Sequence, residues 1–111
     1  MKNFRQSKMF TVDLINCHRD LSLSKKFLAD IKYILKKNNI KVLKTITKKF
    51  LPTNGATVLM ILAESHLAIH TWPEKDLVNL DIFLCNFRKN NFKKVKNALK
   101  DLLFYFQATK Q

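Results

Sequence analysis

The stretch TVLMILAESHLAIHTWPEKDLVNLDIFLC, residues 57–85, holds three apolar runs separated by two short breaks. The first run, residues 57–64, is almost wholly apolar and reads as a strand covered on both sides. The second, residues 66–72, alternates. Side chains on a strand point to opposite faces in turn, so His66, Ala68, His70 and Trp72 share one face and Leu67 and Ile69 the other. Pro73-Glu74-Lys75-Asp76 is a turn by composition. In the third run, residues 77–85, Val78, Leu80, Ile82 and Leu84 form an apolar face, with Asn79, Asp81, Phe83 and Cys85 opposite. Strands this close in sequence pair as antiparallel hairpins. The pairing is expected to gather two histidines, a carboxylate and a thiol on one face.

Outward from this stretch the pattern changes period. Residues 9–16 (MFTVDLIN) are rich in strand formers. Leu23, Phe27, Leu28, Ile31, Ile34 and Leu35 recur at helical spacing, with Ser22 or Ser24 as the starting cap and Asn38-Asn39 as the stop. Residues 40–50 read as a strand with Ile40, Val42 and Ile46 on one face. Leu51-Pro52-Thr53-Asn54-Gly55 is a turn, and its glycine, the only one in the chain, is expected to hold a conformation that other residues resist. Phe92, Val95, Leu99, Leu102, Leu103 and Phe106 mark a closing helix. Strand, helix, strands, helix is the order of an α+β fold. The expected architecture is a two-layer sandwich, an antiparallel sheet with helices on one face. Its second sheet face needs a cover, and a second copy of the chain supplies one, sheet to sheet, in an αββα dimer.

The 111 residues form one expected domain, residues 1–111, with no repeat, linker or low-complexity block. The longest apolar run, residues 58–63, is far short of the roughly 20 residues that span a bilayer. The basic, polar N-terminus has no apolar stretch behind it that would suit a secretion signal. A cytoplasmic protein without membrane association is expected, with Cys17 and Cys85 as free thiols. Against 8 acidic residues stand 21 Lys and Arg, a net charge of +13. That balance raises nucleic acid as a partner. The lysines are spread along the chain, however, with no recognition-helix, zinc-finger or aromatic strand-binding pattern, so nucleic-acid binding is not the expected role.

Polar residues unusual for a strand concentrate in one place: Glu64, Ser65, His66, His70, Thr71, Trp72 and Glu74. Singly, each is more often structural or merely exposed. Ser65 lies in no G-x-S-x-G elbow. His66 and His70 have no third ligand at a recognised spacing, so no metal site is expected.

The whole string decides the matter. ESHLAIHTWPE, residues 64–74, closely resembles the self-cleavage motif of the short prokaryotic S-adenosylmethionine decarboxylases, which are pyruvoyl-dependent. The resemblance continues to Asp81-Ile82-Phe83-Leu84-Cys85 at the family's spacing. It reaches back through Phe50, Pro52 and Gly55, with one extra residue in that turn. More loosely, it covers most of the chain.

The resemblance implies a proenzyme that cuts itself between Glu64 and Ser65. The Ser65 hydroxyl attacks the Glu64 carbonyl; the resulting ester eliminates, leaving a β chain, residues 1–64, and an α chain, residues 65–111. The α chain then begins with a pyruvoyl group made from Ser65, which would hold the substrate amine as a Schiff base and act as electron sink. By resemblance His70 assists proton removal during processing. Thr57 stands where the family has a serine with the same task, a departure that keeps the hydroxyl but adds a methyl that restricts its rotamers. Val58 follows it in place of a frequent glycine. Cys85 matches the proton donor of the decarboxylation, Phe50 an aromatic that stacks on adenine, and Glu74 a carboxylate that accepts hydrogen bonds from ribose hydroxyls. Members of the family pair through their sheets, so a homodimer of processed units is implied.

For the substrate, the resemblance favours S-adenosylmethionine, decarboxylated to supply aminopropyl groups for spermidine and other polyamines. Relatives acting on ornithine or arginine share the processing motif and form the alternative. His18 stands where an acidic residue is usual, and a +13 field opposes a cationic substrate at long range. A third possibility is an inactive homologue with a binding or regulatory role.

Overall fold

The structure is a computed structural model and describes residues 8–63, 65–85 and 91–110. Glu64 lies outside the described residues. The elements follow the order β1 (Lys8–Cys17), α1 (Lys25–Lys37), β2 (Val42–Phe50), β3 (Gly55–Leu62), β4 (Ser65–Trp72), a short 3₁₀ turn (Pro73–Lys75), β5 (Leu77–Leu84), α2 (Phe92–Phe106) and β6 (Ala108–Lys110). The strands form one sheet in the order β2-β3-β4-β5-β1-β6, with every neighbouring pair antiparallel.

Alternation fixes which face is buried. Val58, Met60 and Leu62 of β3, Leu67 and Ile69 of β4, and Val78, Leu80, Ile82 and Leu84 of β5 pack into one core. Phe27, Ile31 and Leu35 of α1 join them, as do Val95, Ala98, Leu102 and Phe106 of α2. Both helices therefore cover the same sheet face, which makes the two-layer α+β sandwich. Fully burying each such side chain contributes roughly 1.5–3 kcal/mol. Among the described residues no layer covers the opposite face of the sheet.

Helix α1 starts where a serine can cap it: the Phe27 N–H donates to Ser24 Oγ at 3.0 Å. Leu23 and Leu28 stand immediately before the cap and at the fourth helical position, the placement of a hydrophobic staple. At the other end Asn38 caps the helix, and its side chain donates to the Ile34 carbonyl and to Asp101 of α2, tying the two helices together. Asn39 follows with φ 60°.

Three expectations need correction. Val42 pairs with Leu62 but Lys44 with Ile61, so a bulge at Leu43 shifts the register. Val42 then packs on the core as Ile40 does, while Ile46, opposite Leu59, faces away and does not share a face with them. The left-handed residue of the β2–β3 turn is Asn54 (φ 63°), not Gly55. Gly55 is required for closeness instead: a Cβ there would lie 2.7 Å from the Thr71 carbonyl oxygen and 3.0 Å from Pro73 Cδ. Finally, β6 follows α2 directly. Gln107 takes a left-handed conformation (φ 52°) and turns the chain back to pair with Ile15 and Cys17 at the sheet edge.

Candidate active site

The uncovered face carries the polar residues, arranged in rows by strand register. One row runs Lys48, Thr57, His70, Asn79, Asp13 across β2, β3, β4, β5 and β1. Thr57 and His70 stand directly opposite, and Thr57 Oγ1 lies 3.0 Å from His70 Nδ1. The hydroxyl donates when Nδ1 is unprotonated and accepts when it carries the proton. Either way the contact fixes the ring and leaves Nε2 as the nitrogen free to exchange protons.

Beside this pair a cavity of about 530 Å³ opens at the β2–β3 turn and the end of β4. Phe50, Gly55, Thr57, His70, Trp72 and Glu74 are among its walls. Phe50 and Trp72 are both large aromatics left about half exposed, at 49% and 42%. The 3₁₀ turn that opens with Pro73 carries Glu74 to the rim, and Asp76 closes it with φ 50°. Thr71, on the core face, is buried and accepts the Ala56 N–H at 3.0 Å, locking β3 to β4 behind the cavity. Four residues named from sequence, Phe50, Thr57, His70 and Glu74, thus share one site.

Ser65 and Cys85 do not join them. Ser65 opens β4 and pairs with Leu84, so Cys85 follows immediately beyond its cross-strand partner. Ser65 Oγ is 3.3 Å from His66 Nδ1, and the His66 ring packs on Phe83 at 5.7 Å between centroids. His70 lies five residues further along the same strand, about 16 Å away at the rise of an extended chain. The residues therefore fall into two groups along β4: Ser65, opposite the core residue Leu84 and next to Cys85, at one end, and Thr57 with His70 and the cavity at the other. The register keeps His66, His70 and Asp81 on the one face that alternation gave them, but spaced along the strands rather than in one cluster.

Three residues of this face, Trp72, Asn79 and Asp13, were given no role from sequence. Trp72 walls the cavity. Its indole N–H donates to Asn79 Oδ1 at 2.7 Å, and Asn79 Nδ2 donates to Asp13 Oδ1 at 2.7 Å. The signal was available in alternation: Asp13 lies on the face of β1 away from Val12 and Leu14, as Asn79 lies on the face of β5 away from Val78 and Leu80. Cys17, by contrast, is buried in the core; burial, then the nearby Asp76 charge, pushes its thiol pKa up. Both cysteines are free. Among the described residues no cluster of three or more His, Cys, Asp or Glu could hold a metal ion. No helix among them is long and apolar enough to cross a membrane.

This geometry can be set against known proteins. The family model for S-adenosylmethionine decarboxylase matches residues 8–110, nearly the whole chain. The chain belongs to the S-adenosylmethionine decarboxylase family. Within the family it is similar to the S-adenosylmethionine decarboxylase proenzyme of Archaeoglobus fulgidus, 46% identical over 63 residues that make up 57% of this chain and 52% of that protein. It is similar also to the proenzyme of Clostridium botulinum, 30% identical over 94 residues, 84% of this chain and 80% of the relative. The match thus spans about half the length of the Archaeoglobus protein and most of the Clostridium one. The crystal structure of the adenosylmethionine decarboxylase from Aquifex aeolicus shares the fold, with a TM-score of 0.80 over 94% of this chain and 82% of that one at 24% identity.

Proposed function

We propose that this member of the S-adenosylmethionine decarboxylase family is a self-processing, pyruvoyl-dependent decarboxylase of S-adenosylmethionine, active as a homodimer in the cytoplasm and supplying aminopropyl groups for polyamine synthesis. The observation that carries the substrate is the cavity that joins Phe50, Trp72 and Glu74 to the Thr57–His70 pair. Aromatic walls suit a purine, and a rim carboxylate suits the two neighbouring hydroxyls of a ribose. Ornithine and arginine have neither part, so such a cavity would be wasted on them.

The cofactor fits the residues present. Ser65 is half-buried at the start of β4, held by strand pairing rather than on a loose loop. In processing, its hydroxyl attacks the Glu64 carbonyl: the new C–O bond replaces the C–N bond, and the proton leaving oxygen ends on the freed amine. Elimination, with loss of the Ser65 α proton and departure of the Glu64 carboxylate, then separates residues 1–64 from residues 65–111, and water hydrolyses the dehydroalanine left at position 65 to a pyruvoyl group with release of ammonia. His70 Nε2, its ring steadied by Thr57, moves the proton. Once formed, the pyruvoyl group supplies the electron sink for loss of CO2. Cys85 holds a proton at Sγ for the carbon that loses CO2, Glu74 binds the ribose, and Phe50 stacks on the base.

A second copy resolves the separation along β4. Two chains facing through their uncovered sheets, about a two-fold axis running across the strands, place the Ser65 end of one over the His70 end of the other. The same contact covers Ile46, Leu59 and Ile61, which are 46%, 41% and 44% exposed in one chain. Each site would then take Ser65 and Cys85 from one copy and Thr57, His70 and the cavity from its partner.

Two experiments test this. Release of CO2 is measured with S-adenosylmethionine, ornithine and arginine; activity on the nucleoside substrate is expected, and activity on an amino acid alone contradicts the proposal. Ser65→Ala and His70→Ala chains, each expected to stay uncut alone, are then co-expressed. A shared site predicts cutting of the His70→Ala chain, whose Ser65 meets an intact His70 of the partner. No cutting in the mixture contradicts it.

A further inference from the structure

We infer that Asp13 and Asn79 are positioning residues that hold the Trp72 indole as a fixed wall of the substrate cavity; the inference rests on the function proposed above. Neither residue lines the cavity. They act through the donor and acceptor chemistry of a three-member chain that crosses β4, β5 and β1.

The indole N–H can only donate, and an ionised carboxylate can only accept. Between them sits a carboxamide that does both. Only one orientation of Asn79 satisfies both neighbours: Oδ1 toward Trp72 Nε1 and Nδ2 toward Asp13 Oδ1, each at 2.7 Å. Asp13 therefore sets the amide's direction, and the amide sets the ring. Register makes this possible, because Asp13 stands directly opposite Asn79. Asn79 also stands opposite His70, but the His70 Nδ1 is engaged by Thr57. The amide is thus directed along the sheet to the next residue of that face, Trp72.

The ring needs such a tether. Trp72 closes β4 and is 42% exposed. Lys75 Nζ lies 5.8 Å from the ring centroid, a distance at which an ammonium group exerts only weak hold on an aromatic face. A wall free to swing must be immobilised when ligand binds, and that ordering weakens binding; a wall already fixed avoids the loss. The ligand class served is a nucleoside, whose flat base meets the fixed aromatic surface.

Trp72 is the only tryptophan in the chain, so its emission reports on this ring alone. The test compares the processed wild-type enzyme with Asp13→Asn and Asp13→Leu. Its readouts are emission anisotropy and the Kd for 5′-methylthioadenosine, a nucleoside that cannot be decarboxylated. In Asp13→Leu the anisotropy should fall, and the Kd should rise roughly fivefold, the scale of one aromatic contact. The KM for S-adenosylmethionine should rise with it while kcat stays near its original value. Asp13→Asn should restore both readouts, because an amide oxygen still accepts from Asn79. Wild-type anisotropy and Kd in Asp13→Leu overturn the inference and leave the proposed function standing. If the wild-type protein binds no methylthioadenosine, the substrate class fails, and the relay's role in holding a ligand fails with it.

Discussion

Replacing Gly55 by alanine sets two effects of opposite sign against each other. Gly55 has no left-handed φ, so the substitution restricts the unfolded chain without straining the folded backbone and on that ground stabilises by about 0.4–1 kcal/mol. The new Cβ, however, would stand 2.7 Å from the Thr71 carbonyl oxygen and 3.0 Å from Pro73 Cδ, where ordinary contact begins at 3.4 Å. The first neighbour is backbone and cannot rotate aside. Thr71 is held on both flanks, opposite Ala56 and opposite Val78. Overpacking of this kind costs about 1–3 kcal/mol, so the clash wins and a net loss of about 1–2 kcal/mol is expected. For a domain near this size that lowers Tm by roughly 5–10 °C. The melt is best followed by circular dichroism in the uncut Ser65→Ala background, where processing does not mix chain species, with both proteins at the same concentration. Because Pro73 precedes Glu74, nucleoside affinity should fall as well. The neighbouring Asn54, with φ 63°, provides the control: Asn54→Gly relieves a left-handed side chain and should be neutral or slightly stabilising. A Gly55→Ala protein as stable as its parent would refute the close-approach argument.

Thr57→Val keeps the shape of the side chain but removes the hydroxyl that holds His70. Self-cleavage, followed by mass over time, should slow about three- to tenfold, the kinetic equivalent of one hydrogen bond, while Thr57→Ser should match or exceed the parent. Tyr105 is predicted to limit stability in alkali. Burial, then its hydrogen bond to Asp30, pushes the phenol up from 10.0 to about 12. A group raised in the folded state contributes stability that is complete below the unfolded value and is lost as pH climbs through the folded one. Urea midpoints of the parent should therefore fall more steeply than those of Tyr105→Phe between pH 10 and 12; parallel curves would show that the phenol is not shielded.

Much of this was legible before any coordinates. Alternation in residues 66–85 assigned each side chain of β4 and β5 to its observed face, because period two leaves no freedom once one face is apolar. Ser22 or Ser24 and the pair Asn38-Asn39 marked the ends of α1, and Ser24 and Asn38 are the ones whose side chains bond backbone groups there. The bulge at Leu43 was hidden: Val, Leu and Ile near it are apolar on either register, so the pattern does not show which face each takes. The strand β6 was hidden because its three residues carry no apolar run, and the turn before it rests on Gln107 where a glycine would have been the signal. The division of the candidate site into two groups was a matter of distance. The motif from Glu64 to Glu74 is short in sequence, but in an extended strand each residue adds about 3.3 Å, and neighbours in a motif become opposite ends of a sheet.

Self-cleavage before Ser65 is the central event of the proposed function, and intact mass spectrometry of the purified protein tests it most directly, with and without a carbonyl-reactive hydrazine. Two chains are expected, ending at Glu64 and beginning at the former Ser65, with hydrazine adding only to the second. A single 111-residue chain that stays uncut and unmodified on long incubation would contradict self-processing.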